Sequence, residues 1–300
     1  MKNIIKHLKT TISECVWNIG IVSPIKLNEQ EHHIKVNWIK GVPHCDWYAD
    51  PFILSYDDNK IEILVEEYIA KKDKGIISLL VIDLKRLRIV ESTKILELDT
   101  HLSFPLIFKD NGKTYVMPEN HESGFLTLYE YDATSKRLTN PTVILNEAVV
   151  DSSILKLNNI YYIFTTKYSL DFCGGARDIH IYKSENITGP YQHHQTIALD
   201  TPIARGAGSI IQENQNIYIP TQNCQERYGQ QVVLHQLCFD NSEFHIKEFS
   251  RISPLSPYNK GCHTYNQLGE FAVIDGYKYK YGKIAELISF IYKLLIKKQC

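Results

Sequence analysis

Apolar and polar positions alternate along this chain in short runs, and the runs break at Asn, Asp and Gly. That period belongs to half-buried strands, with turns marked by residues that accept positive φ. Five segments share one plan: a small or polar opening residue, a short apolar run, a polar turn, and an aromatic or β-branched return. They open at Asp50, Ser103, Asp151, Ala207 and His263, and turn at Asp57–Lys60, Asp110–Lys113, Asn158–Asn159 and Glu213–Asn216, the fifth between Gly269 and Glu270. The openings recur about every 48–56 residues, a spacing in the range of propeller blades. A further strand-like run follows the first four hairpins, at 76–84, 125–132, 178–184 and 231–240. The pattern predicts an all-β five-bladed β-propeller, although a β-sandwich is also compatible with such spacing. Trp17–Val22 is the early strand available to complete the fifth blade.

In that geometry the opening residues and the ends of the return strands ring one mouth of a central channel. Asp50, Ser103, Asp151, Arg205–Ala207 and His263 meet there with Glu66/Glu67, Glu119, Lys167, Gln222/Asn223 and Asp275. Trp47 and Tyr48 beside Asp50 offer flat faces of the kind that line sugar sites. His101 and His263 are placed to hold carboxylates.

The composition changes this picture little. Of 300 residues, 44% are hydrophobic and 22% charged, and the formal net charge is −1. A chain without a basic excess is not built for nucleic acid. The seven cysteines form no C-x-x-C pair, no H-x₃₋₅-H spacing suggests zinc, and no cofactor motif stands out, so neither metal nor cofactor is expected. Arg205-Gly-Ala-Gly208 lacks the Lys-Ser/Thr of a phosphate loop.

The charge is unevenly spread. Lys2, Lys6 and Lys9 gather in the first residues, and Lys278, Lys280, Lys283, Lys293, Lys297 and Lys298 in the last. Ile284, Leu287, Ile288, Ile291, Leu294 and Leu295 recur at helical spacing among the latter, with Tyr277, Tyr279 and Tyr281 before them. This predicts a basic amphipathic helix over 277–300, a weaker copy over 1–16, and the propeller over 17–276. Such a helix suits an anionic membrane surface, a cap on the propeller or a dimer seam. With no signal-peptide pattern at Met1–Trp17, the expected location is cytoplasmic, peripheral on the inner face of the membrane if the helix binds lipid.

Ala49-Asp50-Pro51-Phe52 and Asp151-Ser152-Ser153 resemble the five-bladed glycosidase propellers of glycoside hydrolase family 43 and the levansucrases. A closer resemblance is to the N-terminal domain of plant glucosamine inositolphosphorylceramide transferases and their bacterial relatives. It is carried by Trp47-Tyr-Ala-Asp-Pro-Phe52, Glu66-Glu67, His101-Leu-Ser-Phe-Pro105, Tyr115-Val-Met-Pro-Glu119, Ala204-Arg-Gly-Ala-Gly208 and Pro220-Thr-Gln-Asn-Cys224. The hydrolase resemblance implies Asp50 as base or nucleophile and Asp151 as the orienting carboxylate. Its acid belongs at the opening of the fourth blade, where this chain has Arg205 instead. Glu119, or Glu66/Glu67 on the hairpin partner strands, is then the candidate acid. Alternatively the leaving group is a phosphate that needs no acid, held by Arg205 or Lys167. The remaining binding candidates are Trp47, Tyr48, Glu67, His101, Gln222 and His263. The expected function is sugar transfer in bacterial surface-glycan or glycolipid assembly. The alternative is a sugar-binding module that presents an acceptor to a partner glycosyltransferase. The expected ligand is a sugar, nucleotide-sugar or lipid-linked sugar.

Overall fold

A computed structural model describes residues 15–27, 34–42, 46–168 and 176–280. Among these described residues, twenty strands form five four-stranded antiparallel sheets. The chain enters through β1 (Cys15–Val22) and β2 (Asn37–Trp38). Blade 1 is β3 (Trp47–Tyr56), β4 (Lys60–Ile69), β5 (Lys74–Asp83) and β6 (Arg88–Leu96). Blade 2 is β7 (Ser103–Asp110), β8 (Lys113–Glu119), β9 (Leu126–Asp132) and β10 (Arg137–Leu145). Blade 3 is β11 (Val149–Leu157), β12 (Ile160–Lys167), β13 (Asp178–Ser184) and β14 (Gln192–Ala198). Blade 4 is β15 (Ile211–Glu213), β16 (Asn216–Asn223), β17 (Gln231–Asp240) and β18 (Glu243–Ile252). β19 (Tyr265–Leu268) and β20 (Phe271–Tyr279) begin blade 5.

The ring closes as the apolar pattern predicts. β1 inserts between β20 and β2, in register from Cys15 opposite Tyr279 to Val22 opposite Ala272. The strand is longer than expected at both ends of the chain: Cys15, Val16 and Tyr277–Tyr279 belong to blade 5 rather than to terminal helices. The rest of the expected helices, residues 1–14 and 281–300, lies outside the described residues. No helix among the described residues is long and apolar enough to cross a membrane.

The turns follow their chemistry. Asn111-Gly112 and Asn158-Asn159 take positive φ at both positions, the twist that suits a two-residue hairpin. The Asp57 carboxylate accepts the backbone N–H groups of Asn59 and Lys60, so that turn is locked by its own side chain. Between blades the sheets pack through aromatic and branched side chains. Phe52 meets Phe104 edge-on across blades 1 and 2, and Phe244 receives Tyr162 and Phe164 across blades 3 and 4.

One irregularity recurs where the site is built. β3, β7 and β11 each carry a bulge near their start, opposite β4, β8 and β12. Asp50, Phe104 and Asp151 occupy the same place in it, each with φ between 42° and 50°. A bulge re-aims a side chain that a regular pleat would turn away. In blade 2 the place equivalent to the two aspartates therefore belongs to Phe104, not to the expected Ser103.

Candidate functional site

The mouth of the propeller axis holds a cavity of about 570 Å³. Its floor carries Asp50, Glu66, Ser103, Glu119, Arg205 and His263, and its walls Trp17, Trp47, Tyr68, Tyr168, Tyr228 and Tyr277. Cys15, His101, His121, Val150 and Arg227 complete the lining.

Asp50 sits at the joint between blade 1 and blade 5. Its carboxylate accepts the Phe104 N–H at 3.1 Å and the Thr264 hydroxyl at 2.5 Å. Its own N–H donates to Asp275 at 3.3 Å. Burial pushes the Asp50 carboxyl up, the His263 charge opposes, and Glu66, Asp151 and Asp275 add to the rise, leaving it at about 7.

Asp275 is fully buried and accepts the N–H groups of His263 and Thr264 at 2.8 and 3.1 Å. The His263 ring lies with Nδ1 2.5 Å from Asp275 and stacks on Trp17 at 4.0 Å. Burial alone would lower this histidine, but Asp275 and Asp50 outweigh it and hold it up at about 9. Asp50, His263 and Asp275 bring potential ligand atoms within 4.8 Å of one another. Their oxygens, however, already accept hydrogen bonds from backbone N–H groups and the Thr264 hydroxyl, so the cluster is satisfied by the protein itself.

Two Glu–His pairs stand side by side. Glu66 and Glu119 hold the same place in β4 and β8, each facing a bulge. The His101 ring is 3.2 Å from Glu66 through Nε2, and its Nδ1 accepts the Gly75 N–H at 3.0 Å. A doubly protonated ring cannot accept that bond. While Gly75 donates, His101 is therefore the Nε2–H tautomer donating to Glu66. Burial opposes protonation of His101, the surrounding carboxylates raise its pKa to about 9, and the Gly75 bond at Nδ1 works against that rise. Glu119 accepts the Ser103 hydroxyl at 2.8 Å, the His121 N–H at 2.9 Å and the His121 ring at 2.6 Å. Burial alone would raise Glu119, but these bonds and charges hold it below its ordinary range. A carboxyl so held keeps no proton to give near neutrality, which opposes its expected role as acid.

Asp151 lies beneath Arg205, not in the cavity lining. The Arg205 Nε donates to its carboxylate, and the Gln222 amide donates at 2.8 Å. Burial raises the Asp151 carboxyl against the opposing pull of Arg205. The Arg205 guanidinium also lies 5.1 Å over the Tyr228 ring. The glycines of Ala204-Arg-Gly-Ala-Gly208 have a packing cause. A Cβ on Gly206 would sit 2.0 Å from the Asp151 carbonyl oxygen, and one on Gly208, at φ 149°, would sit 2.1 Å from the Tyr265 carbonyl.

Three expected binding residues lie elsewhere. Tyr48 is buried in the core between blades, because on β3 it points opposite to Trp47. Glu67 accepts the Ser78 hydroxyl at 2.6 Å, and it is its neighbour Glu66 that faces the cavity. Lys167 is half-exposed and paired with Glu147 at 2.6 Å; the place equivalent to Glu66 in its blade is Thr166. Glu67 and Lys167 are each displaced by one residue, and one residue on a strand is the opposite face. Trp47, His101, Arg205 and His263 line the cavity, and Gln222 supports Asp151 from behind.

Trp17, Tyr68, His121, Tyr168 and Arg227 join the site unforeseen. Tyr68 was legible in principle, since it shares a strand face with Glu66 and stacks on Trp47 at 4.5 Å with the rings 5° from parallel. His121, stacked on Tyr168 at 4.1 Å, and Arg227 come from connections, which carry no period.

Residues 40–276 match the family described as glucosamine inositolphosphorylceramide transferase 1, N-terminal. The rice (Oryza sativa subsp. japonica) glucosamine inositolphosphorylceramide transferase 1 is 26% identical over 141 residues, which cover 46% of this chain and 19% of the relative. The Arabidopsis thaliana protein of the same name is 30% identical over 140 residues, covering 44% and 18%. The chain thus spans less than about a fifth of these curated relatives. Among solved structures, an exo-β-1,3-galactanase from Phanerochaete chrysosporium with β-1,3-galactotriose superposes at a TM-score of 0.56. It is 13% identical, and the match covers 71% of this chain and 54% of that one. A thermostable family-43 glycoside hydrolase superposes at 0.51 with 16% identity, over 70% and 78%. At these identities the structures share the fold. The matched span runs through all five blades, and on it the chain belongs to the family of the glucosamine inositolphosphorylceramide transferase 1 N-terminal domain.

Proposed function

We propose that the axial cavity binds the sugar of a glycan or glycolipid and that the propeller serves sugar transfer rather than hydrolysis. The observation that carries this reading is the cavity's make-up: flat aromatic walls above a floor of carboxylates and histidines. Trp47, backed by Tyr68, offers a face to the C–H side of a pyranose. Asp50, Glu66 and Glu119 line the floor as hydrogen-bond acceptors for hydroxyls. Hydrolysis asks for one carboxyl that gives a proton and another that faces the anomeric carbon. Asp151 is buried under Arg205 and Glu119 is held ionised by His121, so neither is poised for those parts. In this reading the propeller presents a sugar acceptor to a partner glycosyltransferase, in keeping with the names of its plant relatives.

Asp50 favours a second reading, in which the propeller itself acts on a glycosidic or sugar-phosphate bond. Its carboxyl borders the cavity and titrates close to neutrality. Calorimetry with nucleotide-sugars, lipid-linked sugars and galactosides tests both readings. Trp47→Ala is expected to weaken sugar binding roughly 10-fold or more, the loss of one stacking face. Binding without turnover in the wild type supports presentation. Turnover abolished by Asp50→Asn supports catalysis, and no saccharide binding to the wild type ends both.

A further inference from the structure

The charged groups on the cavity floor are bonded to the protein around them. Asp50, Glu66, Glu119 and His263 each have a partner there. Tyr228 differs, because no hydrogen bond to its hydroxyl forms among the described residues. Its ring lies over Arg205 at 5.1 Å and stands edge-on to His263 at 5.4 Å, and the His263 Nδ1 is 3.6 Å from Asp50. Tyr228 is 38% exposed, so one side of the ring faces the solvent of the mouth. The hydroxyl is the deep end. Burial pushes the phenol well up, the Arg205 charge opposes, and Asp151 and Asp50 add to the rise. A phenol so placed keeps its proton and has it to donate.

The connection from β16 to β17 carries Tyr228, and it is tied down along its length. The Cys224 N–H donates to the Pro202 carbonyl at 3.1 Å, and the Gln230 N–H closes the loop on the Asn223 carbonyl at 3.0 Å. The Asn223 side chain accepts the Gln225 N–H at 3.0 Å. Arg227, one residue before Tyr228, donates from Nε to the Lys260 carbonyl at 2.6 Å. The Gly229 carbonyl, one residue after, accepts the Cys262 N–H at 2.9 Å. The ring is thus placed before a ligand arrives, and binding need not order it.

We propose that Tyr228 is a specificity-determining residue of the cavity, whose hydroxyl donates to a hydroxyl of the bound sugar. The inference rests on the sugar-binding reading above and adds to it the group that reads one position of the ligand. A sugar that covers Tyr228 strips water from its hydroxyl. One that brings an oxygen to that place replaces the lost bond, and one that lacks it leaves a buried donor unpaired. A site built around such a donor rejects the deoxy analogue, which an apolar face alone cannot do. The Trp47 face takes the plane of the sugar ring, and Tyr228 selects at its edge.

The test is calorimetry of the full chain with the methyl glycosides of glucose, galactose, mannose and N-acetylglucosamine, followed by the monodeoxy analogues of the one that binds most tightly. Tyr228→Phe is expected to lower affinity about 10-fold. Its thermal midpoint is expected to match the wild type, because the hydroxyl has no partner in the protein to lose. One analogue is expected to bind the wild type about 10-fold more weakly and to bind Tyr228→Phe no more weakly still, the signature of a direct contact in a double-mutant cycle. Full affinity in Tyr228→Phe overturns the proposal and leaves the sugar reading standing. A loss of affinity that is the same for every analogue overturns it too, since the hydroxyl then acts through the protein, as does a lowered midpoint. A wild type that binds none of the glycosides overturns this proposal together with the sugar reading.

Discussion

At the scale of single residues the site is a set of carboxylate–histidine contacts whose charges lean on one another. Asp50, with a folded value near 7 against roughly 4 for a free carboxyl, keeps its proton longer in the fold than in the unfolded chain. Its contribution to stability therefore falls as pH rises from about 4 to about 7. His263, raised from 6.5 to about 9, contributes stability that is complete below 6.5 and lost as pH rises through 9. Urea unfolding across this range is expected to show Asp50→Asn flattening the lower window and His263→Gln the upper one. Unaltered slopes in both variants would falsify the electrostatic account. Arg205→Gln leaves the buried Asp151 carboxylate without its counter-charge, and the expected loss is about 3–5 kcal/mol, read by the same denaturation. Restoring stability by adding Asp151→Asn would show that the loss came from the orphaned charge.

The element that decides the site is the bulge at the start of β3, β7 and β11. It places Asp50, Phe104 and Asp151 alike, yet their surroundings give each a different task. Phe104 seals the core against Phe52 and lends its N–H to Asp50. Phe104→Ala is expected to cost about 3–5 kcal/mol by opening a core cavity, with a lowered denaturation midpoint as its measure. Gly206 crosses the equivalent region of blade 3 so closely that Gly206→Ala must displace the Asp151 backbone. Thermal unfolding at an unchanged midpoint would contradict that crossing. Blade number, turn positions and the start of most hairpins were legible in the residues, since turn chemistry and apolar alternation act within a few positions. The outermost strands, such as β6 and β14, were not singled out. They lie at the rim with mixed exposure and alternate too weakly to stand out. The faces of Glu67 and Lys167 were misread because a strand's period of two leaves no margin for a one-residue slip.

The whole molecule is a ring, and its closure rests on one distant pairing. β1 is received by β20, with Trp17 opposite Tyr277 and Asn18 opposite Gly276, and Asp50, Thr264, His263 and Asp275 bind the closing blade to blade 1. Removing residues 1–22 leaves both the β20 edge and the Trp17–His263 stack unfilled. The expected outcome is loss of a single cooperative unfolding transition, seen by circular dichroism and calorimetry together. A truncated chain that still melted in one transition would show that four and a half blades suffice.

Local chemistry in the sequence determined that the chain is all-β, where its hairpins turn, how many blades it has, and that Trp17–Val22 returns to complete the last one. The ring of residues around the axis also followed from it, because strand direction reverses at every turn and carries alternate ends to one mouth. Only the tertiary structure decided which member of each adjacent pair faces the cavity, since that depends on bulges that no alternation announces. It also decided that Arg205 covers Asp151, 54 positions away, and that His121 holds Glu119 ionised. Those are matters of burial and of charges brought within a few ångströms, and they exist only once the blades have packed.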